Sequence, residues 1–225
     1  MTDLSAFQHP RFARMYERIS AESERRGTAE HRDRALAGLS GRVIEIGAGN
    51  GLNFAHYPAN VTEVVAVEPD DHLRELAARA AESAPVPVQV LAGHAAALPV
   101  ENATFDAAVA SLVLCSVPDQ RAALAEMRRV LKPDGQLRFF EHVRSQTSWL
   151  GLLEDAVTPL WSRIGGGCHL NRDTTAAIRA AGFDIETLDR FAYSPLRYFP
   201  AFAHTLGQAR PSTATPHATT AEPRD

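Results

Sequence analysis

The feature that most constrains the fold is a short apolar run that ends in alternating glycines, VIEIGAGNG at residues 43–51. The aliphatic residues have the composition of a buried strand, and glycines follow it at every second position. Glycine lets the backbone approach a ligand closely and adopt positive φ. Such a loop places free backbone N–H groups beside a nucleoside or a phosphate at the carboxyl edge of a parallel sheet. The sequence therefore predicts an α/β sheet with a ligand site at that edge.

Similar apolar runs recur along the chain, with amphipathic helical patterns between them. The predicted strands are RVIEIG (42–47), EVVAVE (63–68), VPVQVLA (86–92), FDAAVASLVL (105–114), GQLRFFEHV (135–143), FDIETLDRF (183–191) and a seventh near residues 199–210. Helices are predicted from about Pro10, over about residues 29–39, 71–83, 119–131 and 147–164, and between Asn171 as N-cap and Gly182 as C′ residue. This alternation is typical of βαβ units and a parallel sheet.

Length and composition favour one soluble domain. The 225 residues divide into a predicted N-terminal helical lid (1–40), a Rossmann-like domain (41–210) and a disordered tail rich in Pro, Ser, Thr and Ala (211–225). A net charge of −4 argues against nucleic acid as a partner. Two cysteines, no signal peptide and no apolar run of membrane-spanning length favour a cytoplasmic protein. The expected oligomeric state is a monomer or a homodimer.

Two acidic residues, Glu45 and Glu68, limit which class of ligand the loop can bind. Glu68 ends the second predicted strand, 21 residues after Gly47, where an acid can accept hydrogen bonds from ribose hydroxyls. The dinucleotide pattern G-x-G-x-x-G fails, because its third glycine is replaced by Leu52. Glu45, just before the loop, would repel a pyrophosphate but could attract an ammonium group. These features favour S-adenosylmethionine, which carries a ribose, an ammonium and a sulfonium but no phosphate.

At this point the sequence resembles the class I S-adenosylmethionine-dependent methyltransferases over roughly residues 10 to 210. Four segments carry the resemblance, in the family's order: EIGAGNG, VVAVEPD, GHAAALPVENATFDAAVASLVL and EMRRVLKPDGQLRFFEHV. The resemblance implies a seven-stranded, mostly parallel sheet with one antiparallel strand and helices on both faces. It also implies S-adenosylmethionine as the cofactor.

The resemblance assigns cofactor contacts to particular positions. They are Glu45, Gly47, Ala48, Gly49, Gly51, Asn53, Glu68, Pro69, His94, Ala95, Ser111 and Leu112. One position departs from the family, which often has an Asp in the loop after strand three where this chain has His94. A neutral histidine could accept the bond from the adenine amino group, or backbone and apolar contacts alone could hold the adenine.

A narrower resemblance concerns the acceptor. SLVLCSVPD, FFEHVR, TPLW and GCHLNRDT are similar to segments of the group that contains the animal alkyl thiol S-methyltransferases. This implies methylation of a small-molecule acceptor, with a thiol favoured and a lipid or natural-product amine or hydroxyl as the alternative. The animal enzymes carry an N-terminal membrane anchor, for which this sequence has no corresponding segment.

Several residues are candidates for contact with the acceptor. His142, at the end of strand five, is a candidate base or substrate contact, or simply ends the strand and bonds a loop carbonyl. Tyr16 belongs to the lid or to the apolar stripe of the first helix. His169 and Asn171 could touch the substrate or only begin a helix. Cys115, Cys168, Trp149 and Trp161 are assigned to packing, with Cys115 near the cofactor; the two tryptophans could instead line an acceptor pocket. No metal site is predicted.

Two other classes remain open from the sequence. A nicotinamide-dependent reductase would share the fold class, although Leu52 breaks its glycine pattern. A protein that binds S-adenosylmethionine without catalysis would share every cofactor motif.

Overall fold

A computed structural model describes residues 3–195, 197 and 200–212. The helices are α1 (Pro10–Ser23), α2 (Ala29–Leu36), α3 (Asp71–Ala81), α4 (Gln120–Val130), α5 (Ser148–Ile164) and α6 (Thr174–Ala180). The strands are β1 (Gly41–Ile46), β2 (Val61–Glu68), β3 (Val88–Ala92), β4 (Phe105–Ser111), β5 (Leu131–His142), β6 (Phe183–Tyr193) and β7 (Phe202–Pro211).

The seven strands form one sheet in the order β3-β2-β1-β4-β5-β7-β6. The first five pair in parallel, and β7 runs antiparallel to both β5 and β6. From β1 the strand order runs toward one edge of the sheet through β2 and β3, and from β4 it runs toward the other edge. The loops that leave the carboxyl ends of β1 and β4 therefore diverge and leave a crevice between them. The predicted Rossmann-like, mostly parallel sheet with one antiparallel strand is confirmed.

Apolar side chains cover both faces of the sheet, because parallel central strands are buried on both sides. One cluster packs α4 and α6 against the sheet around Phe105, Leu124 and Phe139. The other packs α2 and α3 around Leu36, Phe54 and Val64. These layers hold the strand ends that carry the predicted site.

Two sequence expectations about the ends of elements need correction. The fourth strand ends at Ser111 rather than Leu114, because Leu112 adopts a φ of 59° and the chain turns away. The N-cap of α6 is Asp173 rather than Asn171, since the Asp173 carboxylate accepts from the Ala176 N–H. Gly182 does follow the helix with a φ of 79°.

The predicted tail from residue 211 falls mostly outside the described residues, since residues 213–225 are not among them. Pro211 itself is the last residue of β7.

One face of α5 does not pack on the sheet. Trp149 is 68% exposed, and Leu152 and Leu160 are exposed to a similar degree. The sequence suggested that Trp149 packs on the sheet or lines an acceptor pocket. Its exposure shows that it does not pack on the sheet, and it is not among the residues that line the cavity described below. None of the helices in the described part of the chain is long and apolar enough to cross a membrane.

Candidate active site

The glycine loop after β1 has the conformation that its sequence predicts. Gly47, Gly49 and Gly51 have φ values of 66°, 57° and 80°, which L-residues with side chains rarely adopt. A Cβ on Gly47 would lie 2.5 Å from a methyl of Val113, so this position also lacks room for a side chain. A Cβ on Gly49 would lie at an ordinary contact distance of 3.5 Å from the Tyr16 ring, so at this position the positive φ rather than a clash favours glycine.

Glu68 is held against this loop by the backbone. Its Oε2 accepts from the Gly49 N–H at 2.8 Å, and its Oε1 accepts from the Asp70 N–H at 2.9 Å. A carboxylate has about four acceptor positions, so two remain for a ligand. Burial raises the pKa of Glu68 to about 7, although both backbone bonds act to lower it.

A cavity of about 370 Å³ opens at the carboxyl ends of β1, β2 and β4. That volume lies in the range of small-molecule and cofactor pockets. Among the predicted site residues, those that line it are Tyr16, Gly47, Gly49, Glu68, Pro69, His94, Ala95, Ser111 and Leu112. These residues come from five segments of the chain, which the sheet brings to one edge.

Seven predicted residues do not line this cavity: Glu45, Ala48, Gly51, Asn53, His142, His169 and Asn171. Glu45 is buried, and its two oxygens accept from Asn53 Nδ2 at 2.9 Å and from the Tyr57 hydroxyl at 2.8 Å. Burial raises the pKa of Glu45 to about 7. Glu45 and Asn53 therefore lie behind the glycine loop and support it. Ala48 and Gly51 belong to the loop itself.

Arg32 joins this support from the N-terminal helices, which the sequence analysis missed. Its guanidinium is buried and donates to Glu24 at 2.9 Å, to Asn53 at 2.6 Å and to Ser111 Oγ at 3.3 Å. Since Ser111 lines the cavity, this places a cation directly behind the cavity wall. Arg32 lies in a surface-like sequence, RDRAL, whose pattern gives no sign of burial.

The N-terminal segment lies across the cavity on the side of β2. The Phe7 ring stacks on His94 with centroids 4.8 Å apart, and Gln8 Nε2 donates to the Pro69 carbonyl at 2.9 Å. The His9 N–H donates to the Asp70 carboxylate at 3.0 Å. Phe7, His9 and Phe12 thus line the cavity together with Tyr16.

The loop after β4 forms the opposite wall and depends on one buried acid. Both oxygens of Glu141 accept backbone N–H groups, from Val113 at 3.0 Å, Leu114 at 2.8 Å and Cys115 at 3.1 Å. The Leu112 N–H donates to the Phe140 carbonyl at 2.7 Å, which fixes the positive φ of that residue at the cavity wall. Burial raises the pKa of Glu141 to about 7.

His142 points to the other side of β5 from Glu141, as strand alternation predicts. Its Nδ1 lies 3.4 Å from Cys168 Sγ and 3.9 Å from Cys115 Sγ, and its ring lies 4.3 Å from that of His204. The hydrogen bond to Cys115 and the neighbouring His142 lower the pKa of Cys168. The structure therefore places His142 beside the two thiols rather than at the cavity, and Cys115 packs there instead of against the cavity wall.

The glycine-rich loop after α5 contributes backbone rather than the predicted side chains. Gly166 and Gly167 line the cavity, and a Cβ on Gly166 would lie 2.5 Å from the Phe12 ring. His169 Nδ1 instead bonds the Gly167 carbonyl at 2.6 Å. Asn171 precedes the α6 cap and is partly buried.

Comparison with known proteins places this geometry in a family. A family described as a methyltransferase domain matches residues 44–139. The human thiol S-methyltransferase TMT1B is 34% identical over 78% of this chain and 74% of its own, and human TMT1A is 31% identical over 77% and 73%. A SAM-dependent methyltransferase structure from Thermotoga maritima superposes with a TM-score of 0.69 at 23% identity, covering 90% of this chain and 97% of that one, which concerns the fold alone. The chain therefore belongs to the class I S-adenosylmethionine-dependent methyltransferases, in the group that includes the thiol S-methyltransferases.

Proposed function

We propose that this enzyme transfers the methyl group of S-adenosylmethionine to the sulfur of a small thiol. The observation that carries the proposal is the hydrogen bond that pairs Glu68 with the glycine loop in the cavity wall. The remainder of the cavity lining is mainly apolar. The names of the relatives, thiol S-methyltransferases over most of the chain, support the choice of sulfur.

The residues present fit the cofactor. The two remaining acceptor positions of Glu68 suit the ribose hydroxyls, and Gly47 and Gly49 allow the backbone to approach the ligand closely. His94 and Ala95 line the part of the cavity assigned to the adenine. Arg32, behind the cavity wall at Ser111, suits the negative charge of the methionine carboxylate.

Bound S-adenosylmethionine supplies a methyl group on a sulfonium, which is already an activated leaving group. The protein then has to hold the acceptor in line and exclude water, and such positioning can supply much of the rate acceleration. The apolar wall of Phe12, Val117 and Pro118 suits an apolar acceptor. A thiol ionises far more readily than a hydroxyl and its thiolate is strongly nucleophilic, so it depends less on a general base than a hydroxyl does. His142 is not at this wall, which also favours sulfur.

The segment up to the end of α1 acts as a lid in this proposal. Phe7, Phe12 and Tyr16 lie on the cavity, and two hydrogen bonds from Gln8 and His9 tie the segment to the end of β2. Their partners, the Pro69 carbonyl and the Asp70 carboxylate, follow Glu68 directly. Closure of the lid and order at the ribose site are therefore expected to be linked.

The test is an assay of S-adenosylhomocysteine release with a panel of alkyl thiols, amines, phenols and phospholipids, together with calorimetric titration of the cofactor. We expect turnover with thiols and binding of S-adenosylmethionine that Glu68→Ala weakens at least tenfold. Binding without turnover on the whole panel would contradict catalysis on these acceptors. Turnover with amines or lipids alone would overturn the choice of sulfur and leave the enzyme class intact.

A further inference from the structure

Three metal-ligating side chains from separate parts of the chain meet beside the cavity. Cys115 follows β4, His142 ends β5 and Cys168 follows α5. Their donor atoms, the two Sγ atoms and one imidazole nitrogen, all lie within 4.8 Å of one another. His142 lies 27 residues after Cys115 and 26 before Cys168, so no short sequence motif announces the cluster.

The donor spacing matches a tetrahedral centre. With Zn–S near 2.3 Å and Zn–N near 2.0–2.1 Å, tetrahedral angles put sulfur and nitrogen about 3.6 Å apart and two sulfurs about 3.8 Å apart. The distances from His142 Nδ1 to the two sulfurs, 3.4 and 3.9 Å, bracket the first value. All three donor atoms lie within 4.8 Å of one another, so rotation about side-chain torsions would have to bring the two sulfurs to their tetrahedral separation.

The surroundings of the three side chains are apolar, and apolar packing alone does not explain a buried histidine among them. Both thiols are buried in an apolar cluster with Leu170, against which Trp161 and Phe202 pack. Among the described residues, the buried Nε2 of His142 has no hydrogen-bond partner, and Nδ1 has only the two sulfurs. Burying a polar ring with such weak partners is costly, and coordination would offset this cost at Nδ1, the nitrogen that faces the two sulfurs.

We propose that Cys115, His142 and Cys168 bind one thiophilic divalent cation of the zinc type. Two thiolates and a neutral imidazole balance the charge of +2, so the complex is neutral and suits an apolar interior. Binding releases the two thiol protons to solvent, as it does at other cysteine-ligated sites. Three protein ligands leave a fourth position for water or another small ligand.

The ion would connect the two loops that shape the acceptor end of the cavity. Ser116 and Gly167 line the cavity, and they are the chain neighbours of Cys115 and Cys168. One ion bound to both cysteines and to the end of β5 would hold these walls at a fixed separation. This consequence does not depend on which acceptor the enzyme methylates.

The first test uses the full chain, reduced and treated with a chelator that is then removed, and titrates Co²⁺ and Zn²⁺. We expect one equivalent of Co²⁺ to give the visible spectrum of a tetrahedral thiolate site and one equivalent of Zn²⁺ to displace it. Cys115→Ser, Cys168→Ser and His142→Ala should each weaken the affinity at least about 100-fold. The matched control is His169→Gln, next to Cys168 in the chain but bonded to the Gly167 carbonyl, which should leave the affinity unchanged.

A second measurement needs no variant. Cd²⁺ bound to the wild-type chain should show thiolate-to-metal charge-transfer absorption of an intensity that corresponds to two thiolates. The proposal is overturned if that absorption is missing, if the three variants bind like the wild type, or if the reduced protein takes up no stoichiometric metal. Titration of S-adenosylmethionine on the same samples keeps this result separate from the proposed methyl transfer.

Discussion

Glu68 is the residue on which the cofactor assignment depends, and its titration can be measured. Its pKa is raised to about 7 by burial, and the charged neighbours that act on it are Asp70, which also raises it, and Arg74, which lowers it. Only the carboxylate offers all its lone pairs to ribose hydroxyls. If Glu68 binds the ribose as proposed, protonation below pH 7 should weaken binding, and the affinity should rise as the pH rises through 7.

We expect the dissociation constant of S-adenosylmethionine to be about tenfold higher at pH 6 than at pH 8, as one protonation with a pKa near 7 dictates. Isothermal titration at several pH values measures it. Glu68→Gln is the control for titration of the ligand itself and should remove the pH dependence that the carboxylate contributes. If the affinity of the wild type varied with pH no more than the affinity of Glu68→Gln does, the assignment of Glu68 to the ribose would be contradicted.

Sequence reasoning succeeds at residues whose position is set locally. Glu68 could be predicted because its distance from Gly47 follows from one βα unit, and it lines the cavity with Gly47 and Gly49. Arg32 and Glu141 could not, because their partners lie up to 79 and up to 28 residues away and are brought close only by the fold. The sequence places His142 at the correct strand end. Strand alternation alone does not show that its ring faces Cys115 and Cys168 rather than the cavity.

At the scale of elements, the loop after β4 should depend on Glu141 for its shape. Replacing it by Ala leaves three buried N–H groups, of Val113, Leu114 and Cys115, without acceptors. An unsatisfied buried donor costs about 1–3 kcal/mol, so Glu141→Ala should lower the free energy of unfolding by at least about 3 kcal/mol. Urea denaturation with a chelator present measures this loss.

The control for this loss is Glu101→Ala, a carboxylate on the exposed surface, which should change stability by less than about 0.5 kcal/mol. A similar small change for Glu141→Ala would mean that water or a rearranged loop satisfies the three amides.

Strand β4, which precedes this loop, could be predicted from its apolar run, but the residue at which it ends could not. Leu112 and the following residues are as apolar as a strand, and only the contact with β5 turns them.

At the scale of the whole molecule, the segment that we propose as a lid is bound at two places. Its beginning is bound to residues that follow β2, through Gln8 and His9. The kinked segment Glu24–Thr28, which directly follows α1, is bound to β6 at the opposite side of the sheet. There the Tyr193 hydroxyl lies 2.7 Å from Thr28 Oγ1 and donates to the Ser23 carbonyl at 3.2 Å.

If α1 acts as a lid, Tyr193, which is remote from the cavity, should affect release of the cofactor. Tyr193→Phe removes both bonds but keeps the ring, so it should cost about 1 kcal/mol and let α1 open more often. Hydrogen exchange in residues 10–28 and the dissociation rate of S-adenosylmethionine should then both increase, the latter severalfold. Thr104→Val is the control, since it removes an exposed hydroxyl that bonds only the Glu101 carbonyl. Faster exchange with an unchanged dissociation rate would show that α1 moves without opening the cavity, whereas a joint increase would support α1 as the lid.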